Sequence, residues 1–99
     1  SLKANEVVLK AGDSKYHVNS GKIDGKLILT NQRIYFKASN GQAGKHDLEI
    51  LPADILEVIF FNIRKILPHG LNVVMKSGVQ CKFSLKKRNE IGAMINKMY

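Results

Sequence analysis

A change in the spacing of apolar residues constrains the fold of this chain more than any other feature. Through most of the sequence apolar and polar residues alternate, as in Val79-Gln80-Cys81-Lys82-Phe83-Ser84-Leu85. After Lys87 the apolar residues recur at the spacing of one helical face: Ile91, Met94, Ile95 and Met98. Alternation is typical of a strand with one buried face, and the second spacing is typical of an amphipathic α-helix. The sequence therefore predicts a mainly β-fold that ends in one helix over about residues 88–98.

Turn residues divide the alternating part into about seven short strands. Asn31-Gln32 separates Lys26–Thr30 from Arg33–Lys37, which predicts a tight hairpin. This hairpin places four apolar residues on one face: Leu27, Leu29, Ile34 and Phe36. Further strands are predicted over Ser14–Val18, His46–Leu51 and Ile55–Phe61, the last with Val58 and Phe60 as its inward pair. Further turns are predicted at Pro52-Ala53-Asp54, Pro68-His69-Gly70 and Ser77-Gly78.

These elements bury their apolar faces most simply as a partly open antiparallel β-barrel that the helix caps. The 99 residues suffice for one such core, so we expect a single domain over residues 1–99. Gly92 lies inside the predicted helix, where glycine costs about 1 kcal/mol relative to alanine. We therefore expect a packing reason for this glycine.

The charge of the chain favours anionic partners. Sixteen Lys and Arg residues against eight Asp and Glu residues give a net charge of +8. Such a field attracts acidic lipid surfaces, acidic proteins or nucleic acid without distinguishing them. Cys81 is the only cysteine, so no internal disulfide can form, which fits a reducing, cytoplasmic location. The longest apolar stretch, Val58–Phe61, is far shorter than the ~20 residues of a membrane span, so membrane contact would be peripheral.

No combination of residues predicts catalysis or metal binding. His17, His46 and His69 are scattered, and Ser14 would lie on the opposite face of its strand from His17. We expect no enzyme activity, no small-molecule substrate, no cofactor and no metal site. Cys81 has the inward phase of its strand, which indicates a core residue.

Two features invite comparison with nucleic-acid-binding proteins. Gly41–Lys45 matches the Gly-x-x-Gly loop of KH domains, but that loop joins two helices and strands flank this one, so we interpret it as a mobile hairpin tip. Tyr35, with Arg33 and Lys37 nearby, is the only place that resembles a base-stacking platform. The sequence therefore argues against a nucleic-acid partner.

The hairpin Gly25–Phe36 resembles a motif of GRAM domains and bacterial pleckstrin-homology-like (PH-like) domains. In that motif a glycine opens one strand, a Leu-Thr-Asn turn follows, and an arginine leads the next strand. Other segments resemble the family in the same order: Glu6–Leu9, Leu48–Ile50, Asp54-Ile55, Leu71–Val73, Ser77-Gly78 and Arg88–Glu90. The likeness covers about residues 6–98, and Ile91 stands where many relatives have tryptophan. It implies a seven-stranded PH-like barrel without enzyme activity, whose relatives bind phosphoinositides or membranes or form oligomers.

Seven basic residues are candidates for contact with an anionic ligand or lipid: Lys15, Lys22, Lys26, Arg33, Lys86, Lys87 and Arg88. The first three lie in or beside the connection between the first two strands, which carries basic residues around the headgroup in lipid-binding PH domains. The last three form a cluster at the start of the helix, for which a solvated strand–helix junction is the structural interpretation and attraction to anionic lipid the functional one. Arg33 directly follows the tight turn, where pairing with an acidic neighbour is the structural alternative.

A second set of residues indicates a protein interface. Six apolar residues fall on strand positions opposite the predicted core: Ile28, Tyr35, Leu51, Ile59, Phe61 and Val74. Monomers rarely leave a contiguous apolar patch open, although a strand phase wrong by one residue would explain the same pattern. The sequence therefore predicts a non-catalytic module for protein–protein association, including self-association. The alternative is a peripheral membrane module that binds anionic lipid or phosphoinositide headgroups.

Overall fold

The computed structural model describes residues 2–19, 21–39 and 46–99. This part of the chain forms seven strands and one α-helix: β1 (Val8–Val18), β2 (Gly21–Thr30), β3 (Ile34–Ala38), β4 (Leu48–Ile50), β5 (Ile55–Ile63), β6 (Leu67–Met75), β7 (Gln80–Ser84) and α1 (Arg88–Ile95). A short 3-10 turn, Pro52–Asp54, connects β4 to β5. Paired strands are antiparallel, in the order β4-β3-β2-β1-β7-β6-β5. The predicted hairpin tip Gly41–Lys45 lies outside the described residues.

The core lies between the inner face of the curled sheet and α1. Leu27 pairs with Phe36 and Leu29 pairs with Ile34, and all four side chains are buried. The ring of Phe83, from β7, lies with its centroid 5.8 Å from that of Phe36. The predicted inward face of this hairpin is therefore confirmed. Removal of this apolar surface from water is the main contribution to stability, at about 25 cal/mol per Å².

The predicted apolar stripe of the helix is also confirmed. Ile91 and Ile95 are completely buried, and Met94 and Met98 pack against the same core. The regular helix ends at Ile95, earlier than predicted, because the N–H groups of Lys97 and Met98 donate to carbonyl oxygens three residues earlier instead of four. Helix α1 thereby covers the inner side of β5 and β6.

Gly92 has the packing reason that its position in a helix predicts. A Cβ atom there would lie 2.3 Å from Cε1 of Phe60 and 3.2 Å from Cδ1 of Leu71. A larger residue would therefore displace the Phe60 ring or the helix, and the close approach accounts for a glycine at a helical position despite its low helix propensity.

The predicted turn at Pro68-His69-Gly70 is wrong, because these residues lie within β6. The chain instead reverses at Arg64 and Lys65, whose φ angles are 52° and 69°. Pro68 precedes the first residue of β6 that pairs with β7, so its missing N–H interrupts no pairing on that side. Gly70 is needed for space, since a Cβ atom there would lie 2.5 Å from Cδ2 of Phe61.

Strand β1 is longer than the predicted Ser14–Val18. It begins at Val8 and pairs with β2 along its length. Val8 and Leu9 are adjacent apolar residues, and they are 45% and 48% exposed. Because apolar and polar residues do not alternate there, the sequence pattern does not predict this part of the strand. β1 pairs with β7 only at Lys15 and Tyr16, and this short contact leaves a gap beside the earlier part of the strand.

Candidate functional site

The turn between β2 and β3 holds the segment before β1 in place. The hydroxyl of Thr30 accepts hydrogen bonds from the backbone N–H groups of Gln32 and Arg33, which stabilise the turn. The side-chain oxygen of Asn31 accepts a hydrogen bond of 2.8 Å from the backbone N–H of Val7. The motif that resembles the GRAM hairpin therefore has a structural role in this chain.

Two carboxylates bind Arg33. Its Nε donates to Glu6 Oε2 at 2.8 Å, and its Nη1 donates to Glu49 Oε2 at 2.6 Å. The hydroxyl of Thr30 donates to the same Glu6 oxygen at 2.6 Å. These hydrogen bonds lower the pKa of Glu6 from 4.5 to about 2, and those from Arg33 contribute most. The contacts support the structural alternative for Arg33 over contact with a ligand.

Acid is expected to remove the stability that the Glu6 carboxylate contributes. Because folding lowers its pKa, that contribution is complete above about pH 4.5 and is lost as the pH falls to about 2. We expect Glu6→Gln to be less stable than the wild type at pH 7 and to lose less stability between pH 4.5 and 2. Urea unfolding at several pH values measures this. Glu57→Gln, at an exposed site, should keep the wild-type acid dependence, and an unchanged dependence in Glu6→Gln would contradict the assignment.

A cleft opens where β1 separates from β7 and from the start of α1. Residues 11–14 of β1 face the connection 85–87 across a space of about 770 Å³. Four of the candidate lysines line this cleft: Lys15, Lys26, Lys86 and Lys87. The structure therefore brings together basic residues from both predicted groups, which are far apart in the sequence.

Acidic neighbours offset part of the positive charge of the cleft. Lys15 Nζ lies 3.0 Å from Asp24 Oδ1, and Lys26 Nζ lies 3.9 Å from Asp13 Oδ1. All four side chains are more than half exposed, so these ion pairs add little stability. Most of the excess positive charge at the cleft is therefore supplied by Lys86-Lys87.

Two other basic candidates lie outside this cleft. Lys22 is near the start of β2, at the end of the β1–β2 hairpin. Arg88 is buried, and its Nη1 donates to the carbonyl oxygens of Phe61 at 3.1 Å and Gly70 at 3.2 Å. Its guanidinium also lies 4.8 Å from the centroid of the Phe60 ring. Arg88 thus joins α1 to the β5–β6 hairpin, which is a structural role.

The predicted interface residues fall into two groups. Ile28 and Tyr35 pair across β2 and β3, and both are half-buried. Ile59, Phe61 and Val74 lie on β5 and β6: Ile59 is 42% exposed and Phe61 is half-buried, whereas Val74 is buried within the domain and offers little surface to a partner. Strands β1 and β7 separate the two groups in the sheet. The sixth residue, Leu51, directly follows β4 and is 41% exposed. The structure therefore does not unite the six residues in one patch.

Strand β5 and the turn after it carry a run of exposed apolar side chains. Leu56, Ile59 and Phe60 are 56%, 42% and 42% exposed, and Ile66 is 77% exposed. We call these four residues the β5 surface. β5 is the last strand of the described sheet and pairs with β6 on one side only. The ring of Phe60 packs against Gly92 of α1, and part of this ring stays exposed.

Sequence reasoning found only part of the β5 surface. Ile59 is among the predicted interface residues, and Phe60 is predicted to face inward. Leu56 and Ile66 are missing from the prediction, because neither follows from the alternation of a half-buried strand. The signal that points to Leu56 is the near absence of charge in β5, where Glu57 is the only ionisable residue among nine.

The remaining reactive groups have structural surroundings. His17 Nε2 lies 3.2 Å from Ser84 Oγ, and burial lowers the pKa of His17, with Lys22 and Lys82 adding to the shift. Cys81 is buried as predicted, and burial raises the pKa of its thiol. No group of three His, Cys, Asp or Glu residues in the described ranges is placed to hold a metal ion. Within these ranges no helix combines the length and apolar character needed to cross a bilayer.

Comparison with known structures identifies the fold. No family model matches the sequence, and no curated protein is similar to it. A solved structure of the C-terminal domain of an unknown protein from Leishmania infantum is similar, with a TM-score of 0.83 and 16% identity over 96% of this chain and 85% of that one. The Vps36 N-terminal PH domain is similar with a TM-score of 0.72 and 16% identity, over 98% of this chain and 84% of that one. The chain therefore has the PH-like fold, a curled seven-stranded antiparallel sheet covered by one helix.

Proposed function

We propose that this domain is a non-catalytic module that binds protein, and that a second copy of the chain is one of its partners. The PH-like fold suggests a binding module. The observation that carries the proposal is the β5 surface, where four large apolar side chains are exposed along a sheet edge. Monomeric proteins rarely leave such an edge uncovered, because it is a template for pairing with another chain.

The other apolar group supports an interface less well. The hydroxyl of Tyr35 donates to Asp47 Oδ2 at 3.1 Å, and the guanidinium of Arg33 lies 5.3 Å from the centroid of its ring. Polar neighbours therefore already contact the side chain of Tyr35. Membership of the GRAM group, which the hairpin Gly25–Phe36 suggests, stays a prediction alongside this proposal.

Sedimentation velocity over a range of concentrations tests the proposal. We expect a shift from monomer to dimer between roughly 10 and 500 µM, as for an interface of modest size. Leu56→Ser should weaken this association, whereas Leu9→Ser, at a similarly exposed apolar position on β1, should not. A monomer at all concentrations, or equal behaviour of the two variants, would count against self-association through the β5 surface.

The alternative function is binding to an anionic membrane surface, and the cleft with its four lysines favours it. Each basic residue near such a surface contributes about 1 kcal/mol of attraction. Carboxylates already offset the charges of Lys15 and Lys26. Neutralising Lys86 and Lys87 should therefore weaken cosedimentation with phosphatidylserine or phosphoinositide vesicles more than neutralising Lys15 and Lys26. Absence of vesicle binding at low salt would exclude this alternative.

A further inference from the structure

The edge of β5 has the geometry of a strand that lacks a neighbour. Five consecutive residues, Glu57–Phe61, pair in regular register with β6, and register shifts bound this stretch at both ends. The backbone N–H of Val58 donates to the hydroxyl of Tyr99 at 3.1 Å, so it points away from β6. Backbone groups alternate in direction along a strand, so those of Phe60 also face the open edge.

We propose that two copies of this domain pair in antiparallel fashion through β5, about a two-fold axis at Ile59. This inference rests on the proposed function and names the site of self-association. In this arrangement Val58 of one copy faces Phe60 of the other, and the two residues exchange both of their backbone hydrogen bonds. The same exchange occurs on the other side of the axis, which gives four hydrogen bonds in total. The hydroxyl of Tyr99 leaves Val58 when the second strand binds.

The side chains of β5 suit this pairing. Ile59 faces Ile59 of the second copy, and Val58 faces an aromatic ring, Phe60, which is a favourable cross-strand pair. Glu57 faces Phe61, so the only ionisable residue of the strand does not meet its own copy. The pairing therefore covers Ile59 and Phe60 and creates no contact between like charges.

The charges at the two ends of β5 select the antiparallel direction. Asp54 lies five residues before Ile59, and Arg64 lies five residues after it. Both side chains are exposed, and neither is in an ion pair with another described residue. An antiparallel pair brings the end of β5 that carries Asp54 in one copy to the end that carries Arg64 in the other, twice in each dimer. Lys65 balances Glu57, so this edge is locally neutral although the chain carries +8.

Disulfide cross-linking tests the position of the axis. A pair of residues without mutual hydrogen bonds in an antiparallel sheet has Cα atoms about 4.5 Å apart, which lies within the ~4.4–6.8 Å range that a disulfide spans. We expect Ile59→Cys to form a covalent dimer with oxidised glutathione, which takes up the two electrons of the paired thiols. Leu9→Cys is the control for random collision, and the native Cys81 is buried. Equal rates for the two variants would overturn the proposal.

A charge exchange tests the direction of pairing. Asp54→Arg and Arg64→Asp should each raise the dissociation constant of the dimer at least about threefold, because each breaks two ion pairs. The double variant should restore it to within about twofold of the wild type. Single variants that weaken the dimer without rescue in the double variant would overturn antiparallel pairing.

The outcomes separate this inference from the proposed function. A dimer that forms normally in all charge variants, without rapid cross-linking of Ile59→Cys, means that another surface mediates association; the inference then fails and the proposed function stands. A chain that sediments as a monomer at every concentration removes self-association from the proposed function, and with it this inference.

Discussion

Replacing Gly25 with alanine is expected to lower the free energy of unfolding by about 3 kcal/mol, the upper end of the usual cost of overpacking a core. A Cβ atom at this position would lie 2.4 Å from the carbonyl oxygen of Lys37 and 2.6 Å from Cζ of Phe36. The oxygen belongs to the neighbouring strand β3, and the Phe36 ring is buried in the core. Neither can move without breaking the β2–β3 pairing or displacing other core residues.

Gly12→Ala is a matched control in the adjacent strand. A Cβ atom at Gly12 would lie 3.4 Å or more from its nearest neighbours, the side chains of Lys87 and Ile91. We expect its stability to stay within about 1 kcal/mol of the wild type, with a gain if the unfolded chain becomes less flexible. Urea unfolding followed by circular dichroism measures both variants. Equal stabilities for Gly25→Ala and Gly12→Ala would show that β3 tolerates a side chain at Gly25.

Gly25 also shows how the family motif and its physical cause are related. The resemblance places a glycine at the start of the strand before the Thr30 turn, but it does not say why glycine is required. The structure supplies the reason, since the residue faces the ring of Phe36 at a distance that excludes a side chain. The requirement comes from packing, because Gly25 does not have a positive φ angle.

Burial faces were the part of the fold that the sequence predicted well. Alternation in Leu27–Leu29 and Ile34–Phe36, and the helical spacing from Ile91 to Met98, each follow from contact with one core. These patterns depend only on neighbours along the chain. The same rule predicted Cys81 as a core residue, and the structure confirms it.

Features that depend on residues far apart in the sequence could not be predicted in this way. One partner of Arg33 is Glu6, which is far from it in the sequence and reaches it because the turn at Asn31 holds the first segment against β2. The reversal at Arg64 and Lys65 also escaped prediction, since neither residue is typical of positive φ angles. The grouping of four lysines around the cleft depends on the short β1–β7 contact, which no local pattern indicates.

The helical spacing indicates that Arg88 is buried, although its charge suggests an exposed residue. It follows Lys86-Lys87, and the three residues together resemble a solvated basic cluster. Arg88 also lies three residues before Ile91 and seven before Ile95, which places it on the buried stripe of the helix. The helical spacing separates Arg88 from the two lysines, and the structure shows Arg88 buried while both lysines are exposed.

Arg88→Met is therefore expected to lower the free energy of unfolding by about 3 kcal/mol, because the carbonyl groups of Phe61 and Gly70 lose a charged donor within a buried contact. Methionine keeps much of the apolar stem, so the loss reports mainly on the guanidinium. Lys86→Met removes the same charge from an exposed site and should change stability by less than about 0.5 kcal/mol. Urea unfolding measures both variants, and hydrogen exchange of the α1 amides should quicken only in Arg88→Met. Equal results for the two variants would mean that the helix docks on the β5–β6 hairpin through its apolar stripe alone.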